Sequence, residues 1–152
     1  MEPNNPFSNF GPPDIEIGPV RFWIHGRQFP DATDFWDGNW LKATVACEAE
    51  GAVVWVSGPI LHLSELKSWA DDCQKMNETL SGQADLNCIE PNLAIELSLN
   101  QTGQMQMNVF ITADHLSQTH QFKFSLDQSD LPDLIRGVRK VLERFPLKDH
   151  SP

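Results

Sequence analysis

Apolar side chains recur at every second position through most of this chain, and that period restricts its fold more than any other feature. Val20, Phe22 and Ile24 alternate with Arg21, Trp23 and His25, and Leu41, Ala43, Val45 and Cys47 alternate with Lys42, Thr44 and Glu48. Further along, Leu93, Ile95, Leu97 and Leu99 alternate with Ala94, Glu96 and Ser98, then Met105, Met107, Val109 and Ile111 with Gln106, Asn108 and Phe110. Successive side chains of a strand point to opposite faces, so each run predicts a strand with one face toward a core. Residues 83–89 and the run Phe122, Phe124, Leu126 predict two more. In residues 52–57 the alternation fails: Val53, Val54, Trp55 and Val56 leave no polar face, which predicts a central strand covered on both sides. Glu50-Gly51 and Asn100-Gln-Thr-Gly103 are short links, which join antiparallel neighbours.

Two segments switch to helical spacing. After Gly58-Pro59 breaks the strand run, Ser64 is placed as an N-cap with Glu65 in the first turn. Leu66, Trp69, Ala70, Cys73, Met76 and Leu80 then share one stripe, and Gly82 suits a left-handed cap. The second helix is expected to be capped by Ser129, with Pro132 in its first turn, where a missing amide is tolerated. Its stripe is Leu131, Leu134, Ile135, Val138, Val141, Leu142 and Phe145, and Pro146 stops it. The predicted order is βββαββββα. This is an α+β fold: a mainly antiparallel sheet of about seven strands, curved or sandwich-like, with two amphipathic helices packed on it.

At 152 residues the chain suits one domain that buries about two-thirds of the surface its unfolded form exposes. Residues 1–18, with Pro3, Pro6, Pro12 and Pro13, read as a flexible arm on which Phe7 and Phe10 tack onto the body. Residues 19–146 form the domain and 147–152 a tail. No run reaches the roughly 18 apolar residues of a membrane helix, and the acidic, proline-rich start is unlike a signal peptide. Together with an odd set of cysteines, Cys47, Cys73 and Cys88, none in a Cys-x-x-Cys pair, this points to a reducing cytoplasm and buried free thiols.

The net charge of −10 is uneven. Residues 1–120 carry 16 acidic and 5 basic side chains, a balance of −11, and residues 121–152 carry 5 and 6. An acidic body repels phosphate backbones, which argues against direct nucleic-acid binding. The same field steers a basic protein partner toward it, and it also serves solubility.

Templates for catalysis and metal binding find little support. His25, His62, His115, His120 and His150 make no His-x-His, His-Glu-x-x-His or Cys/His cluster. There is no Gly-x-Ser-x-Gly elbow and no phosphate-binding glycine loop, and Asp71-Asp72 reads as a solvated helix face. Residues 28–40 are the exception in density. They hold Asp31, Asp34 and Asp37 among Phe29, Phe35, Trp36 and Trp40. Three carboxylates in one loop suit a hard cation, but the alternate spacing and distal Glu of an EF-hand are missing. Asp37-Gly38-Asn39 reads more simply as a turn. Phe29 and Trp40 are expected to face the core, leaving Phe35 or Trp36 as an anchor for a partner.

Three ordered segments carry a resemblance: Gln28-Phe-Pro-Asp…Phe-Trp-Asp-Gly-Asn-Trp-Leu41, Glu90-Pro-Asn-Leu-Ala-Ile-Glu-Leu97 and Leu126-Asp-Gln-Ser-Asp-Leu-Pro-Asp-Leu-Ile135. Ser57-Gly-Pro-Ile-Leu61 and the helix start after it fit between the first two. Over about residues 20–145 the chain resembles the WapI-like immunity proteins, departing from them in its proline-rich arm and in Asp130, where an aromatic is more usual. The resemblance implies a cytoplasmic antidote, without catalysis or cofactor, that binds the toxin domain of a contact-delivered bacterial toxin. A basic nuclease is one such partner. Asp31, Asp34, Phe35, Trp36 and Asp37 are the candidate contact residues, with Glu48 and Glu50 as steering charges. Two alternatives stand beside this: a small hydrolase or sugar-binding domain using the loop carboxylates with His115 or His120, and an interaction module whose loop packs on its own sheet. The first needs at least two of those groups to converge in a pocket; the second needs Trp36 and Phe35 buried.

Overall fold

A computed structural model describes residue 7 and residues 9–149. Eight strands form two antiparallel meanders. The first sheet joins β1 (Ile15–Ile17), β2 (Val20–Arg27), β3 (Trp40–Ala49) and β4 (Ala52–His62) in that order. The second joins β5 (Gly82–Asn87), β6 (Leu93–Leu99), β7 (Gln104–Ile111) and β8 (Gln121–Asp127). Helix α1 (Phe35–Gly38) is a single turn between β2 and β3. Helix α2 (Leu63–Thr79) links the sheets, and α3 (Leu131–Arg144) follows β8 through a 3-10 turn, Gln128–Asp130.

The α+β class and the antiparallel pairing agree with the sequence reading. The additional strand is β1, inside the stretch read as an arm. Ile15 and Ile17 are almost fully buried and pair with Phe22 and Val20. Three residues flanked by prolines are too short to show a period, so only their burial reveals them. Phe7 and Phe10 do reach the body. Phe7 stacks on Trp23 at 5.2 Å between ring centres, Phe10 leans on Trp23 and His25, and Trp23 Nε1 donates to the Gly11 carbonyl.

One core unites both sheets and both long helices. Val20, Phe22, Leu41, Val45, Leu86, Ile95, Met107 and Val109 meet Trp69, Met76, Leu134 and Val138 there. Helix α3 lies against β1 and α2 against β5. The approach is close at Gly137, where a β-carbon would stand 2.9 Å from the Asp14 carbonyl oxygen. Cys47 and Cys73 are buried free thiols and Cys88 is partly buried. Burial raises the first two to about 11 and about 12, so they stay protonated and unreactive near neutral pH.

Five local readings need correction. Strand β4 is the edge of its sheet, not its centre, and Val53 and Trp55 are exposed. It also runs through Gly58-Pro59 to His62. A bulge opposite β3 between Leu41 and Ala43 absorbs the irregularity, and an edge strand can spare the amide that proline lacks. Helix α2 is capped by His62 rather than Ser64: the ring accepts from the Ser64 amide while Glu65 Oε1 accepts from the His62 amide at 2.8 Å. Its left-handed cap is Leu80 (φ 58°), not Gly82, and the Leu80 side chain is exposed. Finally, α3 begins at Leu131 after Asp130, without a Ser129 cap.

Candidate functional site

The aromatic loop folds as a ledge closed at its base by Gln28 N donating to the Trp40 carbonyl. Asp37-Gly38-Asn39 does not make a free turn; it ends α1. Asp34 caps that helix, its side chain accepting from Asp37 N at 3.0 Å, which leaves this carboxylate less available to a cation. Gly38 is required by packing: a β-carbon there would lie 3.0 Å from the Ala32 oxygen and 3.2 Å from Lys148 Cδ.

Polar groups clamp the ledge from beneath. Asn39 is wholly buried and satisfied: Nδ2 donates to the Phe35 and Lys148 carbonyls, both at 2.8 Å, and Oδ1 accepts from Lys148 N at 2.9 Å. Lys148 Nζ donates to the Pro30 and Ala32 carbonyls at 2.7 and 2.8 Å. Arg27 donates to the Gly38 and Pro146 carbonyls, and burial lowers its pKa without neutralising it. His62, fully buried, closes the other side. Its Nε2 lies 3.1 and 3.2 Å from the Phe35 and Trp36 carbonyls, which can only accept, so Nε2 carries the hydrogen and Nδ1 accepts from Ser64. Phe35, Trp36 and Trp40 pack around the same ring at 4.9–5.5 Å between centres. Burial pushes the His62 pKa down, which keeps the imidazole neutral.

What the clamp presents outward is apolar and acidic. Trp36 is 49% exposed and Phe29 46%, whereas Phe35 and Trp40 are half-buried. The expectation that Phe29 faces the core is therefore overturned. Trp40 is anchored, but on His62. Asp31, Asp34 and Asp37 are all exposed, and none is in an ion pair with another described residue. The condition set for a merely self-packing loop, burial of both Trp36 and Phe35, is not met.

Glu48 and Glu50 lie elsewhere. The run of β3 from Trp40 to Glu48, at about 3.4 Å per residue, sets both apart from the ledge by roughly 27 Å or more. Glu48 pairs with Arg21 at 3.2 Å, and Glu50 sits exposed in the β3–β4 turn. His115 and His120 line one small hollow of about 180 Å³ with Pro91, Phe110 and Gln118, and no carboxylate is among its lining residues. Asp114, next in sequence to His115, is held below the usual carboxylate range by hydrogen bonds from Ser117 Oγ and the Leu116 amide, a turn-forming role. Among the described residues no group of three His, Cys, Asp or Glu side chains is placed to hold a metal ion.

The family model of the immunity protein WapI-like family matches residues 13–146, taking in every strand from β1 to β8, the ledge and both long helices. The chain belongs to that family. No curated protein and no solved structure matches it. The matched span also begins before β1, so the strand that periodicity overlooked is part of the family's domain. Among described residues, no helix is long and apolar enough to cross a membrane. Sequence reasoning did not single out His62, Asn39 and Lys148 as the supports of the ledge. Of these only Asn39 lay inside the motif, and its side chain was read as turn chemistry. His62 and Lys148 are far away in sequence and carried no local signal.

Proposed function

We propose that this chain is a non-catalytic cytoplasmic immunity protein that binds and neutralises a toxin domain, using the ledge formed by residues 29–37 as a principal contact. The observation that carries this is Trp36, half-exposed on the same ledge as the exposed Asp31 and Asp37, on a loop held rigid by Asn39, Lys148 and His62. A flexible loop would lose that freedom on binding; this one has already been ordered by folding. A large aromatic on a fixed support is typical of the few residues that dominate protein interfaces. Three exposed carboxylates and a net charge of −10 favour a basic partner, such as a nuclease domain. Family membership supports the class of partner, and the ledge supports where it docks.

The test is co-expression with the toxin domain encoded beside this chain, followed by co-purification and binding at several salt concentrations. The expected outcome is relief of toxicity and a complex that forms more slowly as salt rises. Trp36→Ala should weaken that complex by about 2 kcal/mol or more while changing folding stability far less. Unrelieved toxicity with no complex overturns the reading. A complex indifferent to Trp36→Ala and to Asp31→Asn moves the contact off the ledge.

A further inference from the structure

Four strands end the two sheets, and they are not protected alike. β1 lies against α3 and β5 against α2. β8 carries Lys123 and Asp127, charges of the kind that discourage edge pairing. Residues 52–57 of β4 carry no charge: they read Ala-Val-Val-Trp-Val-Ser, with Phe7 packed edge-on against Trp55 at 5.9 Å between ring centres. Val53 is 58% exposed and Trp55 44%. In an antiparallel pair every second residue directs its amide and carbonyl away from the partner, and among the described residues no other backbone pairs with this edge of β4. Such an edge is an aggregation hazard unless something uses it.

Beside it runs a hollow of about 560 Å³, within the range of roughly 300–1,000 Å³ over which concave sites hold ligands. Residues 53–57 form one wall and Ala113, Gln118 and His120 the other, and among the described residues no lysine, arginine or carboxylate lines it. Carboxylates stand at its borders. Glu50 is in the turn that joins β4 to β3, Asp114 follows Ala113, and Glu48, opposite Val53 in the strand register, adds a carboxylate that Arg21 already pairs at 3.2 Å. The surroundings therefore pair an uncharged floor with an acidic rim.

We infer that the outer edge of β4 accepts an extended segment of a partner protein as an added strand, with apolar side chains in the hollow and lysine or arginine beside the Glu50 and Asp114 carboxylates. Main-chain bonds supply affinity in this mode, and the hollow and rim supply selectivity. A second copy of this chain is the poorer occupant, because it brings a second net charge of −10 and the same carboxylates to the pairing. The inference takes the partner's identity from the toxin-binding reading, but the edge itself does not depend on it. It also gives Glu50 a direct contact of its own, apart from the ledge.

The probe is a short synthetic peptide of alternating lysine and valine, compared with its glutamate–valine counterpart, with amide hydrogen exchange read residue by residue. The lysine peptide should slow exchange of the outward amides in residues 52–57 by about tenfold, and the glutamate peptide should not. Val53→Lys, and separately Ala52→Lys, should abolish that protection without changing the melting temperature, both positions being exposed. Protection confined to β8, equal binding of the two peptides, or full protection in a variant that melts normally overturns the inference. Protection of β4 in the absence of peptide, with a dimer in solution, overturns the choice of occupant. If the lysine peptide protects β4 while the neighbouring toxin domain neither binds nor is neutralised, the edge stands and the immunity reading falls. If the toxin binds Val53→Lys and the parent chain alike and the lysine peptide leaves β4 unprotected, the edge falls and the immunity reading stands.

Discussion

His62 shows how much a single side chain can hold in place. It caps α2, donates to two carbonyls of α1 and packs among three aromatic rings, all while fully buried. The cap requires the neutral imidazole, because Nδ1 must accept from the Ser64 amide; the bonds to the Phe35 and Trp36 carbonyls favour the charged form, and burial outweighs them. Because burial depresses its pKa below the ordinary 6.5, the unfolded chain binds a proton that the folded chain resists. The associated stability is complete above about pH 6.5, declines as pH falls through that value toward the lower folded one, and then levels off. Glu65 works in the opposite sense. Burial raises its carboxyl above the ordinary 4.5, so its contribution is present at low pH and lost as pH rises through the folded value. Urea midpoints measured between about pH 7.5 and about pH 5 should fall in the parent chain, and His62→Asn should remove the part of the slope due to the histidine. At neutral pH the same variant should cost roughly 2–4 kcal/mol, through the stranded Phe35 and Trp36 carbonyls and the looser aromatic packing. An unchanged slope in His62→Asn would show that other groups set the acid limb.

At the level of elements, α2 ends on a residue poorly suited to its place. Leu80 occupies the left-handed region at φ 58°, and its side chain is 49% exposed, so little burial offsets the conformational cost. Leu80→Gly should therefore stabilise the domain by about 1 kcal/mol in thermal or urea unfolding, even though glycine also adds freedom to the unfolded chain. A loss of stability would mean that the exposed leucine packs more than its accessibility suggests. The same residue shows where sequence reading reaches its limit. Strands β6 and β7 were legible because each buries one face and leaves the other open, which writes a period of two into the sequence; β2 and β3 carry that period too, although Trp23, Thr44 and Ala46 bury part of their second face. β4 was misplaced because a run without polar residues has the same look whether both faces are covered or one edge waits for a partner. Caps failed for a related reason: His62, Ser64 and Glu65 all lie at the start of α2, and only the geometry of the incoming strand decides which side chain turns back on the amides. The ledge's acidic and aromatic content was plain in residues 28–40. The division into exposed Trp36 and anchored Trp40 was not, because it depends on His62 and Lys148, which are distant in the chain.

Over the whole molecule, the ledge joins parts of the chain that are far apart. Lys148 reaches back more than a hundred residues to Pro30, Ala32 and Asn39, and Arg27 reaches forward to Pro146. Lys148→Ala should leave the two sheets intact while amides in residues 29–38 exchange about tenfold faster, a local loosening that native-state exchange can separate from global unfolding. Uniform acceleration across β2 and β3 would instead make Lys148 a support of the entire first sheet. The long-range tie also bears on timing. During synthesis both sheets can pair from residues already made, yet the carbonyls of Pro30 and Ala32 wait for a lysine that the ribosome adds only near residue 148. If the ledge is the contact for a toxin, a nascent chain is folded before it is protective, and defence begins only when the segment carrying Lys148 has emerged.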